Sequence, residues 1–150
     1  MAVKVKALHH QGLEAPPAKV EVMLDFYKNV FGMTSDPRRP TIPAVPAGDW
    51  LYVGPDGEQT TQVHVISRDG VSGIANNERE DPTRPHIALA VDDVAEAEAE
   101  LLLLGVPHWA RQNTTGRVLF VDDPMGNMIE IHQADTCSCD VVALRARSET

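Results

Sequence analysis

Apolar and polar positions follow one another in an ordered way along the chain. Val3 to Leu13 is rich in Val and Leu and predicts a strand, which Ala15-Pro16-Pro17 ends. From Ala18 to Phe31 the residues Val20, Met23, Leu24, Tyr27 and Phe31 recur at steps of three and four, one face of a helix. Gly32 follows where a left-handed C-cap is wanted. Pro37, Pro40, Pro43 and Pro46 make residues 34–48 an extended loop. Trp50–Val53 and Gln62–Ser67 predict strands around a Pro55-Asp56-Gly57 turn, and the polar stretch Arg68–Thr83 predicts a linker. Arg84–Val91 predicts the next strand. Asp93, three residues before Glu96, has capping-box spacing and opens a helix with Val94, Ala97, Leu101 and Leu104 as its buried stripe. Gly105 and Pro107 end that helix. Trp109–Gln112, Arg117–Val121 and Met128–His132 predict three short strands, the last two joined by a turn over Asp123–Asn127.

Both halves therefore read strand, helix, then two or three strands. Landmarks correspond in order: His10 with His86 in the first strand, Gly32 with Gly105 at the helix end, Pro55-x-Gly57 with Pro124-x-Gly126 at the turn, and His64 with Glu130 in the last strand. The expectation is an α+β fold of two tandem βαβββ modules in a single domain spanning 1–150. Module 1 runs over about 3–67, the linker over 68–83, module 2 over about 84–133 and a C-terminal tail over 134–150. Neither module alone would bury much of a core, so each is expected to depend on the other or on a second chain.

The repeat also picks out candidate chemistry. Side chains alternate between the faces of a strand. Met128 and His132 therefore share a face with Glu130, and Gln62 and Ile66 share one with His64. A carboxylate on a half-buried strand is costly unless it is paired or bound to a metal. His10, His64, His86 and Glu130 together suit a divalent transition metal, because imidazole and carboxylate bind zinc, nickel, iron(II), manganese or cobalt. Taken singly, each has an ordinary alternative: a hydrogen-bonded or surface histidine, a salt-bridged glutamate.

Composition narrows the classes. At 150 residues, 43% apolar and 23% charged, the chain is an ordinary globular domain rather than a disordered one. With 13 Lys and Arg against 22 Asp and Glu, the formal charge of −9 argues against nucleic acid, whose binding draws on cationic side chains. The charge is uneven, net −1 over residues 1–75 and net −8 over 76–150. The longest apolar run, Leu101 to Val106, is far too short to span a membrane, and Met1–Lys6 lacks the apolar stretch of a signal peptide. Cys137 and Cys139 alone form no disulfide framework, so a cytoplasmic protein is expected; as a soft-metal pair they are a weak signal.

Two stretches carry a family resemblance. His86-Ile87-Ala88-Leu89-Ala90-Val91-Asp92-Asp93, before a helix ending Leu104-Gly105-Val106, resembles the second module of the vicinal oxygen chelate superfamily. So does Phe120-Val121-Asp122-Asp123-Pro124-Met125-Gly126-Asn127-Met128-Ile129-Glu130. Leu8-His9-His10-Gln11-Gly12-Leu13 and Phe26-Tyr27-Lys28-Asn29-Val30-Phe31-Gly32 resemble its first module more loosely. That superfamily holds glyoxalase I, fosfomycin- and bleomycin-resistance proteins, methylmalonyl-CoA epimerase and extradiol dioxygenases. The resemblance covers about residues 5–133. It implies two modules whose curved mixed sheet forms a cleft around one metal, with ligand places in the first and last strands of each module. Here those places hold His10, His64, His86 and Glu130; the spacing to Leu13 favours His10 over His9. Many glyoxalases offer Glu or Gln where this chain has His64, and the Pro-Pro insertion after Leu13 is also a departure.

The expected activity is that of a metal-dependent enzyme which chelates a small substrate through adjacent oxygens and performs lyase or isomerase proton transfer, with Glu130 as both ligand and base. If His64 does not bind, His10, His86 and Glu130 form a 2-His-1-carboxylate set suited to an extradiol-type dioxygenase. A metal-free, bleomycin-resistance-like binding protein is the contrasting class. Trp50 and Tyr52 share a face and are candidates to wall the substrate pocket, with ordinary core packing as the commoner role for each taken alone. His132 is a candidate to orient Glu130 or touch substrate. Arg117, beside Arg111 across the turn Gln112–Gly116, is a candidate for an anionic substrate group, with surface solvation as its alternative. A homodimer is expected.

Overall fold

A computed structural model describes residues 2–42, 47–53, 61–113 and 116–134. The architecture is α+β and repeats one order of elements. The first copy comprises β1 (Val5–Ala15), α1 (Val20–Phe31), β2 (Thr34–Ser35), β3 (Gly48–Val53) and β4 (Thr61–Ser67). The second comprises β5 (His86–Val91), α2 (Val94–Leu103), β6 (His108–Asn113), β7 (Gly116–Asp122) and β8 (Met128–Gln133). The short strand β2 lies within the stretch expected to be loop; it pairs antiparallel with β3 through Thr34 opposite Tyr52 and Ser35 opposite Leu51. The turn at Pro55–Gly57, Cys137, Cys139 and all of the tail beyond Ala134 lie outside the described residues.

The chain forms two compact units. One is His10–His86; the other joins Met1–His9 to Ile87–Thr150, so that β1 contributes its first half to one unit and its second half to the other. In the His10–His86 unit the strand order is β2-β3-β4-β1, with β4 parallel to β1 and antiparallel to β3. The odd-numbered face of these strands carries the core. Ala15, Leu51 and Val65 pack with Val20 and Leu24 of α1. Helix α1 ends on Gly32, whose φ of +67° is the left-handed conformation glycine adopts without strain, and whose N–H donates to Lys28 O at 3.0 Å.

In the other unit β6-β7-β8 form an antiparallel run. Here too the helix covers the odd-numbered face: Val94, Ala97 and Leu101 of α2 pack with Val91, Leu119, Val121 and Ile131. Asp93 caps α2 as its spacing predicts, accepting from Ala95 N at 2.8 Å and Glu96 N at 3.0 Å. Leu104, expected in the buried stripe, instead follows the helix end and is 47% exposed.

The stretch 68–85 contains no helix or strand, yet it is organised around a buried charge. Asp81 is fully buried and accepts from Ser72 N (2.6 Å) and Oγ (2.8 Å) and from Thr83 N (2.9 Å) and Oγ1 (2.7 Å). Arg68 ties the same stretch to β1 through Glu14 at 2.9 Å and to Glu78.

Candidate functional site

Strand register places the first set of candidates on one face. In the β1–β4 pair His10 stands opposite Gln62 and Gly12 opposite His64. In the β3–β4 pair Trp50 stands opposite His64 and Tyr52 opposite Gln62. The face away from α1 therefore carries His10, Gly12, Trp50, Tyr52, Gln62 and His64, and His86 opens β5 within the same unit. All three histidines are buried. Buried polar groups require partners, and the partners here decide the chemistry.

His10 Nε2 and His86 Nε2 lie 3.1 Å apart. His86 Nδ1 lies 2.6 Å from the Arg84 carbonyl. A carbonyl only accepts, so Nδ1 carries the proton and His86 presents a lone pair at Nε2. That is how a backbone carbonyl presets a histidine ligand. His10 Nε2–H donates to that lone pair in the absence of a metal. The 3.1 Å separation also falls where two neighbouring nitrogens each about 2.0–2.1 Å from one ion would stand. The residues therefore fit a divalent metal. Gly12 makes the ring position possible: a Cβ there would sit 2.6 Å from His86 Cε1.

His64 is held differently. Its ring is stacked between Trp50 (centroids 4.4 Å, 13° between planes) and His10 (3.7 Å, 16°). Its Nε2 lies 2.8 Å from Gln62 Oε1, and Gln62 Nε2 donates to Asp36 Oδ2 at 2.8 Å. Asp36 also accepts from Arg38 N at 2.9 Å and Arg38 Nε at 3.2 Å, and Arg38 bonds the Tyr52 hydroxyl. Burial pushes the Asp36 carboxyl up, but hydrogen bonds from Arg38, Tyr52 and Gln62 outweigh it and hold the group below the usual carboxylate range. Burial, and then Asp36, push the Tyr52 phenol above its ordinary value.

In the second unit, cross-strand register sets Trp109 opposite Phe120 and Phe120 opposite Glu130. Glu130 thus sits half-buried on a face with Trp109, Phe120 and Met128, the two rings stacked at 5.7 Å. His132, on the same face, is buried; its Nδ1–H donates to Gln133 O at 3.0 Å, and its ring meets His9 edge-on at 4.7 Å. Arg117 goes elsewhere. It shares the odd-numbered face with Leu119 and Val121, where it forks onto Glu98 of α2 at 2.8 and 2.6 Å, and so does not join Glu130. The cause is strand parity: Arg117 and Glu130 stand on opposite sides of the β7–β8 pair.

The sequence pattern points to the histidines, Trp50 and Tyr52 as site residues but not to Gln62, Asp36, Arg38 and Gly12. Gln62 had a signal, since it shares parity with His64. Asp36 had none, because it lies in the proline-rich stretch and reaches the site only through the fold.

A model of the Glyoxalase/Bleomycin resistance protein/Dioxygenase superfamily matches residues 10–131. Among solved structures, methylmalonyl-CoA epimerase from Mycobacterium tuberculosis is 22% identical, with 87% of this chain and 89% of that chain covered and a TM-score of 0.57. A Streptomyces coelicolor methylmalonyl-CoA epimerase variant in complex with 2-nitronate-propionyl-CoA is 15% identical, covering 85% and 96%, with a TM-score of 0.57. A variant of homoprotocatechuate 2,3-dioxygenase from Brevibacterium fuscum is 18% identical, covering 88% of this chain and 33% of that chain, with a TM-score of 0.58. These likenesses concern the fold. No curated protein matches the chain.

Proposed function

The chain belongs to the Glyoxalase/Bleomycin resistance protein/Dioxygenase superfamily, and we propose that it is a metal-dependent enzyme that moves a proton on a small substrate held through two adjacent oxygens. The observation that carries this reading is the His10–His86 pair, two buried imidazole nitrogens 3.1 Å apart with His86 preset by the Arg84 carbonyl. In this reading His10 and His86 hold a divalent metal, and Glu130 supplies the carboxylate, by its matching place in the last strand of the second copy. A zinc, nickel, manganese, cobalt or iron(II) ion would supply Lewis acidity to the chelated oxygens.

The chain's own residues do the rest. Glu130 accepts a proton from the substrate carbon beside the chelated oxygens and returns it to the neighbouring position, the general-base role of a carboxylate. Trp50 and Tyr52 wall the substrate space beside His64 and exclude water. His132 stands on the Glu130 face and steadies the carboxylate. A homodimer in the cytoplasm is the expected state; among the described residues no helix is long and apolar enough to cross a membrane.

A second reading, an extradiol-type dioxygenase, draws support from His64. Its Nε2 is bonded to Gln62, which sets it apart from the ligands, and the two histidines and one glutamate that remain suit iron(II) and oxygen chemistry as well as proton transfer.

The test is metal content after dialysis and reloading, compared among wild type, His86→Ala and Glu130→Ala. The expected result is stoichiometric metal in wild type and its loss in His86→Ala. A wild type that takes up no metal, with neither substitution changing anything, would favour the sequestering protein instead. Oxygen uptake with catechols after anaerobic iron(II) loading then separates the dioxygenase from the proton-transfer enzyme.

A further inference from the structure

The two ring nitrogens of a histidine are made different by whatever the second one touches. In the His10–His86 unit a chain of obligate donors and acceptors settles this for His64. Asp36 receives donors on both oxygens: Arg38 N and Nε on Oδ1, and Gln62 Nε2 on Oδ2. A carboxylate so surrounded is an acceptor, so Gln62 must turn its NH2 toward it. The Gln62 carbonyl oxygen then faces His64 Nε2 at 2.8 Å. A carbonyl oxygen cannot donate, so His64 Nε2 carries the proton and the lone pair of the neutral ring is on Nδ1. His86 shows the reverse pattern, Nδ1–H with the lone pair on Nε2.

We propose that Gln62, braced by Asp36, is a positioning residue that fixes His64 as the Nε2–H tautomer, so that His64 serves the site through Nδ1 and stands apart from the His10–His86 nitrogen pair. The stack of Trp50, His64 and His10 holds the plane of the ring, and Gln62 sets its polarity within that plane. Asp36, Gln62 and His64 are all at least 96% buried, so water has little access to compete for these bonds. A cluster that merely satisfied its own polar groups would need no particular amide orientation. Here the donors around Asp36 allow only one. The consequence for catalysis rests on the metal-centre reading above; the tautomer itself does not.

The experiment is proton–nitrogen correlation NMR on the dialysed, metal-free chain labelled at histidine nitrogen. Wild type is expected to show His64 as Nε2–H and His86 as Nδ1–H. Gln62→Met, which keeps the side-chain length and removes both hydrogen bonds, is expected to lose the single His64 pattern and leave that of His86 intact. Gln62→Glu retains an acceptor oxygen and is expected to restore it. Asp36→Asn lets the Gln62 amide turn over and is expected to give a mixture. A wild-type His64 in the Nδ1–H form, or a Gln62→Met spectrum unchanged at His64, would overturn the proposal. The wild-type spectrum decides even if a variant fails to fold. Metal titration adds a second arm. His64→Ala is expected to retain stoichiometric metal, and loss of metal on that change would refute the separation of His64 from the ligand pair. A wild type that binds no metal at all, yet shows the stated tautomers, sinks the functional reading and leaves this one standing.

Discussion

The two copies of the βαβββ unit use the same two faces of their strands for opposite purposes. In both, the odd-numbered face packs on a helix: Leu51 and Val65 against α1, Leu119 and Val121 against α2. The even-numbered faces differ. That of the first copy is polar and aromatic, with His64, Gln62 and Tyr52 wired to Asp36 and Arg38 and His10 stacked on His64. That of the second is largely apolar, with Val118, Phe120 and Met128 packed on Trp109 around one half-buried carboxylate, Glu130. One topology thus carries a hydrogen-bonded histidine cluster in one place and, in the other, an apolar bed for one acid and one buried histidine, His132. Burial without partners is expensive for polar groups, so the first copy spends its neighbouring residues on fixing ring orientation, whereas the second meets a smaller demand, with His132 donating to the Gln133 carbonyl.

The largest effect should expose this asymmetry directly. Both His10 and His132 are buried, but His10 faces an imidazole preset by the Arg84 carbonyl, whereas His132 meets His9 edge-on. His10→Ala should abolish stoichiometric metal binding, whereas His132→Ala should change metal affinity by no more than about the 10–100-fold typical of an outer partner. Isothermal titration with zinc and elemental analysis measure both. Equal losses would erase the distinction between the two faces.

A smaller and more selective effect is expected at Gly12. A Cβ there meets three atoms of the His86 ring at 2.6–2.9 Å, so the ring must move. Gly12→Ala should weaken metal binding by about 10–100-fold, as displacement of a ligand's support does. Gly73→Ala, where a Cβ meets nothing within 4 Å, should bind like wild type. If Gly12→Ala binds normally, His86 is not held against β1 as described.

Acid should separate the units next. Asp36 and Asp81 both belong to the His10–His86 unit. Burial pushes each carboxyl up, but for Asp81 the hydrogen bonds from Ser72 and Thr83 prevail, as those from Arg38, Tyr52 and Gln62 do for Asp36, and both groups sit below the usual range. A group whose pKa is lower in the folded state contributes stability that is complete above its unfolded value, about 3.9 for Asp, and is lost as pH falls through the folded value. Hydrogen exchange followed down through that range should therefore show residues 10–86 opening first. Among the described residues of the other unit the lowered carboxyls are Glu98, held by Arg117, and Asp123, held by Asn127 in its own turn, and both act near the surface. Asp81→Ala should cost about 1–3 kcal/mol for each donor stranded at Ser72 and Thr83, read from denaturant midpoints at neutral pH. Simultaneous opening of both units in acid would contradict this assignment.

The sequence made the repeat and most elements legible because periodicity and caps are local signals: the steps from Val20 to Phe31, Asp93 before Glu96, the Gly at 32 and 105. Strand parity around His64 and Glu130 was also legible, since period two needs no partner. Two things were not. Arg117 could be placed beside a turn, but its face depends on the register with β6 and β8, which no local pattern states. The Asp36–Gln62–His64 chain depends on Asp36 and Gln62, 26 positions apart in sequence, meeting in space, and on which way an amide points. That is a property of the buried hydrogen-bond network and not of spacing.

Arg117 provides the smallest and most discriminating expectation. Its guanidinium is about half exposed and forks onto Glu98, itself near the surface. Surface pairs of this kind contribute little to stability and are screened by salt. Arg117→Ala and Glu98→Ala should each leave the thermal midpoint close to that of wild type, with any difference vanishing at high salt. Because Arg117 stands on the helix side of β7 while Phe120 and Glu130 stand on the other, neither change should alter metal affinity, or KM for an anionic substrate once a turnover assay exists. A rise in KM without loss of stability would mean that the guanidinium leaves Glu98 and reaches substrate, and would return Arg117 to the role its position beside the turn first suggested.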